Sequence, residues 1–481
     1  MPDIYRELNN LAEGNMYPFH MPGHKRNSES TPFKGAFRCD ITEIDGFDNL
    51  HDAQGIILEC EERANKLYGA EETFFLVNGS TCGVLAAVSA VAGEGDHILA
   101  ARGSHKAFYH AAYLRKLKVD YLPYKMDVEL MIPETYLAEE IRAAITSDTK
   151  AVFITSPTYE GKCADVRGIA DVCHEAGIPL IVDAAHGAHF GFGDRNRIPE
   201  SAVTQGADIV IHSVHKTLGS MTQTALLHVQ GKLADRNRLK RFLRIYQSSS
   251  PSYVLMSSID LCMKAVEEHG TELMERLLKY REMLDAGTRI CSNIRIYTDE
   301  GSYDPGKVLI YDASGTMTGQ RIYDILREDF SLQLEMAGEK CALAIITGWD
   351  TEEGIDRLTK ALKMIDLRIS QSAEGKPAAL LTGKEAVEVI GLPEVRMQIC
   401  EAWDAEQETV ALEEAEGRIA ADFVNLYPPG IPLVVPGEVI SAGFIEDIKR
   451  YMAIKLNVQG VLDIGNKGII DKRGILCVKQ K

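Results

Sequence analysis

An apolar run, Ala207-Asp-Ile-Val-Ile, ends abruptly in His212-Ser213-Val-His215-Lys216. A lysine is an effective nucleophile only as a free amine, and burial beside another cation lowers its pKa towards that state. Lys216 is therefore a Schiff-base candidate, and Ser213 and His215 beside it can donate hydrogen bonds to phosphate oxygens. Alone, the segment reads more simply as a lysine capping a strand end in solvent. A second apolar run, Pro179-Leu-Ile-Val-Asp183, ends in a carboxylate and continues into Ala-Ala185-His186. A pyridine-type nitrogen needs a close anion to stay protonated, and the protonated ring is what draws electrons from a substrate carbon. Asp183 fits that role. Ala185 is small enough to let a flat ring approach. The plainer alternative is an aspartate capping a helix.

Two further segments complete the set. Val77-Asn-Gly79-Ser80-Thr81-Cys-Gly83 leads a strand through a turn into a helix. Free backbone N–H groups and the positive dipole end make that helix start a phosphate site, to which the Ser80 and Thr81 hydroxyls add donors. The segment lacks the GxxxxGK[ST] pattern of a P-loop. Arg102-Gly-Ser-His105-Lys106 opens another helix, and an imidazole there can lie flat on an aromatic ring. By itself His105 reads as a surface histidine.

Such residues need strands that end side by side. Short apolar runs at 73–77, 97–101, 119–124, 151–156, 180–184 and 209–213 alternate with helical patterns at 82–92, 105–117, 134–145 and 166–176. That alternation predicts an α/β fold with a mostly parallel sheet covered on both faces. The run 224–229 follows too closely for a helical crossover and is expected as an antiparallel neighbour. Helices are predicted at 235–245, 252–268 and 271–287. A smaller α/β unit follows, with strands at 294–298, 307–313 and 341–347 and helices near 318–328 and 351–370. Ser372–Lys376 reads as a linker. The last unit is expected to hold a long acidic helix near 404–426 and the proline-rich Tyr427–Pro432. The resulting units are an N-terminal segment 1–70, a large domain 71–290, a small domain 291–371 and a C-terminal domain 377–481.

The chain has 481 residues, 45% hydrophobic and 25% charged, with a net charge of −18. That balance offers no electrostatic footprint for nucleic acid or an anionic membrane. The ten cysteines form no CxxC pair and read as reduced thiols of a cytoplasmic protein. Met1–Asn10 lacks the apolar core of a signal peptide. Val84–Ala92, the most apolar stretch, falls far short of the roughly 20 residues a membrane span needs.

Phosphate turn, stacking imidazole, ring-nitrogen acid and Schiff-base lysine, in that order at the strand ends of one sheet, resemble the aspartate-aminotransferase-like (fold type I) pyridoxal-phosphate enzymes. More specifically, Phe19-His-Met-Pro-Gly-His24-Lys25, Gly79–Gly83, Arg102–Lys106, Ser156-Pro-Thr158-Tyr159-Glu-Gly161, Asp183–His186, Ser213–Lys216, Ser250–Ser258, Gly417–Ala421, Tyr427–Pro432 and Pro436-Gly-Glu438 are similar to the Orn/Lys/Arg decarboxylases, in the short form without an N-terminal wing domain. The resemblance implies a pyridoxal 5'-phosphate cofactor joined to Lys216, with Asp183 at the ring nitrogen and His105 on the ring. It places Ser80, Thr81, Ser213 and His215 at the phosphate, and Thr158 near the ring hydroxyl. It also implies an active site at the interface of a homodimer or larger homo-oligomer, with a residue of Ser248–Ser252 reaching the partner's phosphate. Ala184 and His186 stand where relatives often differ, which leaves any substrate contact of His186 open.

The reaction so implied is decarboxylation of a basic L-amino acid, arginine before lysine or ornithine, with Lys216 or His105 delivering a proton to the α-carbon. Asp45, Asp48, Glu335 and Glu438 are candidate acceptors for the substrate's cationic end. The rivals are an aminotransferase or other amino-acid lyase, which would use Arg321, Arg327 or Arg357 on the substrate carboxylate, and a non-catalytic relative of the fold. A metal hydrolase built on His186/His189 or His212/His215 is a remoter one. The basic run Arg236–Arg241 reads as a solvated helix face.

Overall fold

Ala151 and Phe153 pack on one side of their strand and Val152 and Ile154 on the other, all four buried. A strand apolar on both faces must be covered on both, and the computed structural model, which describes residues 3–27, 31–299, 302–372, 387–428, 430–464 and 473–480, shows this. The large sheet contains β1 (Glu72–Leu76), β2 (His97–Ala101), β3 (Lys118–Leu122), β4 (Thr149–Thr155), β5 (Leu180–Asp183), β6 (Ile209–His212) and β7 (Ala225–Val229). Their spatial order is β1-β7-β6-β5-β4-β2-β3. All run parallel except β7, which is antiparallel to both of its neighbours, as its short connection from β6 requires.

Parallel pairing sets Thr155 opposite Asp183 and Asp183 opposite Ile211. Three strands thus end together, and the helices that follow begin at one edge of the sheet. The helix after β1, α1, spans Gly79–Val91, so Ser80 and Thr81 sit in its first turn rather than in a turn before it. Gly79 adopts φ +72°, a conformation that favours glycine. A Cβ on Gly83 would lie 2.7 Å from Leu76, so only glycine lets α1 press so closely on the sheet.

The helix α2 (Lys106–Arg115) follows β2, and α3 (Val166–Glu175) lies between β4 and β5. The four-residue α4 (Val214–Thr217) carries Lys216, and α5 (Arg236–Tyr246) carries the basic run. On α5, Arg236 pairs with Glu71 and Lys240 with Glu72, as a solvated face does.

Two sequence expectations fail here for physical reasons. The helices expected at 252–268 and 271–287 are one 36-residue helix, α6 (Tyr253–Thr288). Gly270 costs about 1 kcal/mol of propensity, and burial of Met263, Val266, Leu273 and Leu277 around it outweighs that cost. The acidic stretch 404–426 is not a helix. It contains the strand Gln407–Ala411, a short turn of 3-10 helix at Leu412–Glu414, and the strand Val424–Leu426. Gln407–Ala411 pairs with Arg473–Val478, a partner remote in sequence that overrides the helical preference of its glutamates.

A second, antiparallel sheet combines β8 (Ile294–Ile296), β9 (Lys307–Asp312), β10 (Met336–Ala337) and β11 (Cys341–Ile345) in the order β8-β9-β11-β10. Its core includes the second half of α6, whereas the first half packs beneath the large sheet. A further core holds Val410, Leu412, Val424, Ile448 and Ile475. Of the expected linker Ser372–Lys376, Ser372 ends the helix Glu352–Ser372, and residues 373–376 lie outside the described residues. The ten cysteines are all free and mostly buried. Among the described residues no helix is long and apolar enough to cross a membrane.

Candidate active site

The ends of β4, β5 and β6 and the starts of α1 and α2 open on one cleft of about 490 Å³. Ser80, Thr81, His105, Thr158, Asp183, Ala185, His186, His215 and Lys216 all line it. Of the residues singled out by sequence for the cofactor, Ser213 alone does not; its hydroxyl is buried and has no hydrogen-bond partner.

Asp183 terminates β5, is buried, and accepts the amide of Ala185 at 3.2 Å. Burial raises its pKa, against the pull of the Lys216 charge and that amide. Such a carboxylate is held short of a cation. His105 caps α2, its Nδ1 accepting from Ala107 N at 3.2 Å. Burial first, and then the charges of Lys216 and Lys106, push it down to about 3, so its ring is neutral.

Lys216 is lowered by burial, against Asp183 and Glu335, which act in the opposite sense. His186 Nε2 lies 3.0 Å from Lys216 Nζ, and its Nδ1 lies 2.7 Å from Lys307 Nζ. His186 is held well below its ordinary value by burial and by both lysines. His215 is hydrogen-bonded to the carbonyl of Thr224 at 2.7 Å through Nδ1, which therefore carries the proton. The Thr158 hydroxyl accepts the amides of Gly161 and Lys162 at 3.2 Å each.

The cleft also contains residues that sequence reading missed or misassigned. Tyr427, Pro428 and Ile431, expected only as a rigid domain contact, line it. Lys106 N donates to Gly430 O at 3.3 Å, which holds that turn against the start of α2. Of the four acids proposed for the substrate's cation, only Glu335 lines the cleft, where it accepts from the Tyr159 hydroxyl. Asp48 instead accepts the amides of Asn49, Gln54, Gly55 and Ile57, and Glu438 is buried against Arg102. Arg321, Arg327 and Arg357 are exposed and none reaches the cleft. His212 turns to His228 and His189 to Asp304, so neither histidine pair converges, and the described residues hold no cluster suited to a metal ion.

Residues 2–306 match the model of the Orn/Lys/Arg decarboxylase major domain, and residues 384–459 match that family's C-terminal domain. The chain belongs to the Orn/Lys/Arg decarboxylase family. It is 34% identical to the arginine decarboxylase of Bacillus subtilis (strain 168), over 96% of this chain and 95% of that one. It is 32% identical to the arginine decarboxylase of Bacillus anthracis, over 96% and 95%. The fold matches the crystal structure of the Francisella novicida lysine decarboxylase LdcF with a TM-score of 0.83 at 16% identity, covering 100% of this chain and 81% of that one. As a member of this family the chain is a pyridoxal-phosphate-dependent decarboxylase of a basic amino acid.

The residues present fit that cofactor. The buried Asp183 lacks a cation, the α1 N-terminus bears free amides beside Ser80 and Thr81, and Ala185 leaves room on the cleft floor. The hydroxyls of Thr155, Ser213 and Thr217, all close in sequence to this floor, are buried without partners. Unsatisfied buried hydroxyls are rare unless a ligand or water completes them.

Proposed function

We propose that this chain removes the α-carboxylate of L-arginine, releasing agmatine and CO2, with lysine and ornithine as poorer substrates giving cadaverine and putrescine. The observation that supports the reading most is the meeting of Asp183, His105 and Lys216 in one cleft whose wall carries the acid Glu335. The two Bacillus relatives named arginine decarboxylase favour arginine.

Lys216 would hold the cofactor's aldehyde, Asp183 its ring nitrogen, His105 its ring face and Thr158 its hydroxyl side, with His186 beside Lys216. Ser80, Thr81 and His215, which line the cleft, would hold its phosphate, and the buried Ser213 would not. When bound, pyridoxal phosphate supplies the electron sink for the pair left behind as CO2 departs. The protein does the rest. The buried carboxylate of Asp183 would keep a ring proton in place. The neutral His105 offers a flat face without adding charge. As a free amine, Lys216 would hold a proton at Nζ and deliver it to the α-carbon. Glu335 accepts the substrate's cationic end, a charge-assisted bond.

The same reading places the protein in the cytoplasm, consistent with its free cysteines. It divides the chain at about residues 70, 290 and 376, and makes the working unit a homodimer. Met16, Tyr17, Phe19 and Met21 are exposed on the N-terminal segment, and an apolar group of that kind is usually covered by a partner. Residues Ser248–Ser252 would then reach the partner's phosphate.

The test is to incubate the cofactor-loaded protein with arginine, lysine and ornithine separately and identify the products. Agmatine formed fastest, with equimolar CO2, is the expected result. A keto acid in place of CO2 would make it an aminotransferase, and no amine from any substrate would overturn the assignment.

A further inference from the structure

Lys307 opens β9, is fully buried, and points at the cleft from the second sheet. Nothing in the decarboxylation outlined above uses it. Its aliphatic stem lies against Gly161, where a Cβ would come within 2.7 Å of Lys307 Cγ, so the chain leaves room for it by a glycine at φ +113°. Its Nζ donates to the carbonyl of Tyr159 at 2.9 Å and meets His186 Nδ1 at 2.7 Å. The other nitrogen of His186 meets Lys216 Nζ at 3.0 Å. Two amines are therefore joined by one imidazole.

A neutral imidazole has one N–H and one lone pair. It can accept from an ammonium on one side only while donating to a free amine on the other. The row Lys216–His186–Lys307 is thus satisfied when one lysine is charged and the other is not, and the tautomer of His186 records which. We propose that Lys307 is the proton store for Lys216, exchanging a proton with it through His186. The Nζ–H bond of Lys216 breaks as that proton bonds to Nε2. The Nδ1–H bond breaks as its proton bonds to the Nζ lone pair of Lys307. Lys216 is left as the amine its reaction requires, Lys307 becomes the ammonium, and the ring stays neutral with its tautomer reversed. The reverse pair of hops recharges Lys216 when a proton has to be delivered to the α-carbon. The exchange itself conserves protons, and the one delivered to the α-carbon leaves with the amine, so solvent recharges the pair once per turnover.

The surroundings suit a store. Burial pushes Lys307 down to about 8, with Lys216 acting in the same direction and Asp304, Glu160 and Glu335 opposing. These carboxylates, with His186 and the Tyr159 carbonyl, face its ammonium from β10's approach, the loop after β4 and its own loop, so neither form is stranded. Lys307 is a positioning residue that acts through His186. The proposal rests on the reading of Lys216 as the amine that takes the cofactor.

The test uses the cofactor-free full chain labelled with 15N in histidine, the His186 signals being assigned by their loss in His186→Asn. At a pH where the two lysines together hold one ammonium, both ring nitrogens of His186 in the wild type are expected at intermediate, averaged shifts while the ring stays uncharged. In Lys307→Met one nitrogen is expected to be fully protonated and the other bare. A single fixed tautomer in the wild type overturns the proposal, and that measurement needs no variant to fold. As a second readout, the pH midpoint for acetylation of Lys216 by acetic anhydride is expected to rise by about one unit or more in Lys307→Met, because the store and its like charge are gone. An unchanged midpoint overturns the proposal. In the loaded enzyme, Lys307→Met should lower kcat about tenfold or more with KM little altered. If the tautomer is shared in the cofactor-free chain but no basic amino acid is decarboxylated by the wild type, the substrate reading fails and the proton store stands.

Discussion

Arg102 and Glu438 form a bidentate, almost fully buried ion pair, Nε to Oε1 at 2.9 Å and Nη2 to Oε2 at 2.8 Å. They join the loop that leads to His105 with the C-terminal unit. The same guanidinium donates to the carbonyls of Pro432 at 2.8 Å and Leu433 at 3.2 Å. The pair thus fixes the turn containing Tyr427 and Ile431 as a wall of the cleft. Its function is geometric, since a buried pair gains little over well-packed apolar groups, while a broken one strands a charge.

Removing one partner should therefore be costly. Glu438→Ala is expected to lose about 3–5 kcal/mol of stability, with the midpoint of chemical denaturation moving accordingly. It should also raise KM, because the wall beside His105 is released. Stability within about 1 kcal/mol of the wild type would show that the turn is held by other contacts.

Asp183 is expected to govern rate rather than binding. Asp183→Ala should lower kcat by about 100-fold or more while KM changes far less, as when a preorganised charge facing the reacting system is removed. Steady-state kinetics with saturating cofactor separate the two. A variant with a kcat within about threefold of the wild type would remove Asp183 from the chemistry.

The four segments proposed for the cofactor were legible because each is local: an apolar run that stops at a polar or charged side chain. Lys216, Asp183 and His105 sit where such runs predicted them, whereas Ser80 lies in the first turn of α1 rather than in a turn before it. The rest of the cleft depends on contacts distant in sequence. Tyr427 reads as part of a stiff proline-rich turn, and the bonds from Lys106 N to Gly430 O and from Arg102 to Pro432 O and Leu433 O bring that turn to the site. Lys307 reads as the polar start of an apolar strand, and its burial is decided by Gly161 and His186. The acidic stretch 404–426 has helical composition, yet pairing with Arg473–Val478 makes part of it a strand. A signal for Lys307 was present: the charge directly precedes Val-Leu-Ile in a run otherwise buried from end to end.

His215 is expected to give cofactor binding a pH dependence. Its Nδ1–H is committed to Thr224 O, so Nε2 can donate to a phosphate oxygen only if the ring gains a proton. In the free protein its pKa is lowered, by burial first and then by Lys216, against the Thr224 bond. A phosphate dianion stabilises the charged ring and raises that pKa. The bond is therefore present at lower pH and lost as pH rises through the pKa of the complex, and binding takes up a proton. Titration calorimetry in buffers of different ionisation heat should show proton uptake that is smaller in His215→Gln. Equal uptake in the two proteins would count against a phosphate contact.

Glu335 should set affinity for the cationic end of the substrate. Loss of one charge-assisted hydrogen bond of about 1.5–3 kcal/mol corresponds to a KM for arginine raised about 10- to 100-fold in Glu335→Gln. A kcat that stays close to the wild-type value is expected alongside. If KM is unchanged for arginine, lysine and ornithine alike, the cation is held elsewhere.

The central claim is that one amine, on Lys216, takes the cofactor's aldehyde. Reduction of the cofactor-loaded protein with borohydride, followed by proteolysis and mass spectrometry, tests it directly. The account predicts a pyridoxyl-phosphate group fixed to Lys216 and to no other lysine. Label on Lys307 instead, or a chain that takes up no cofactor at all, would contradict it.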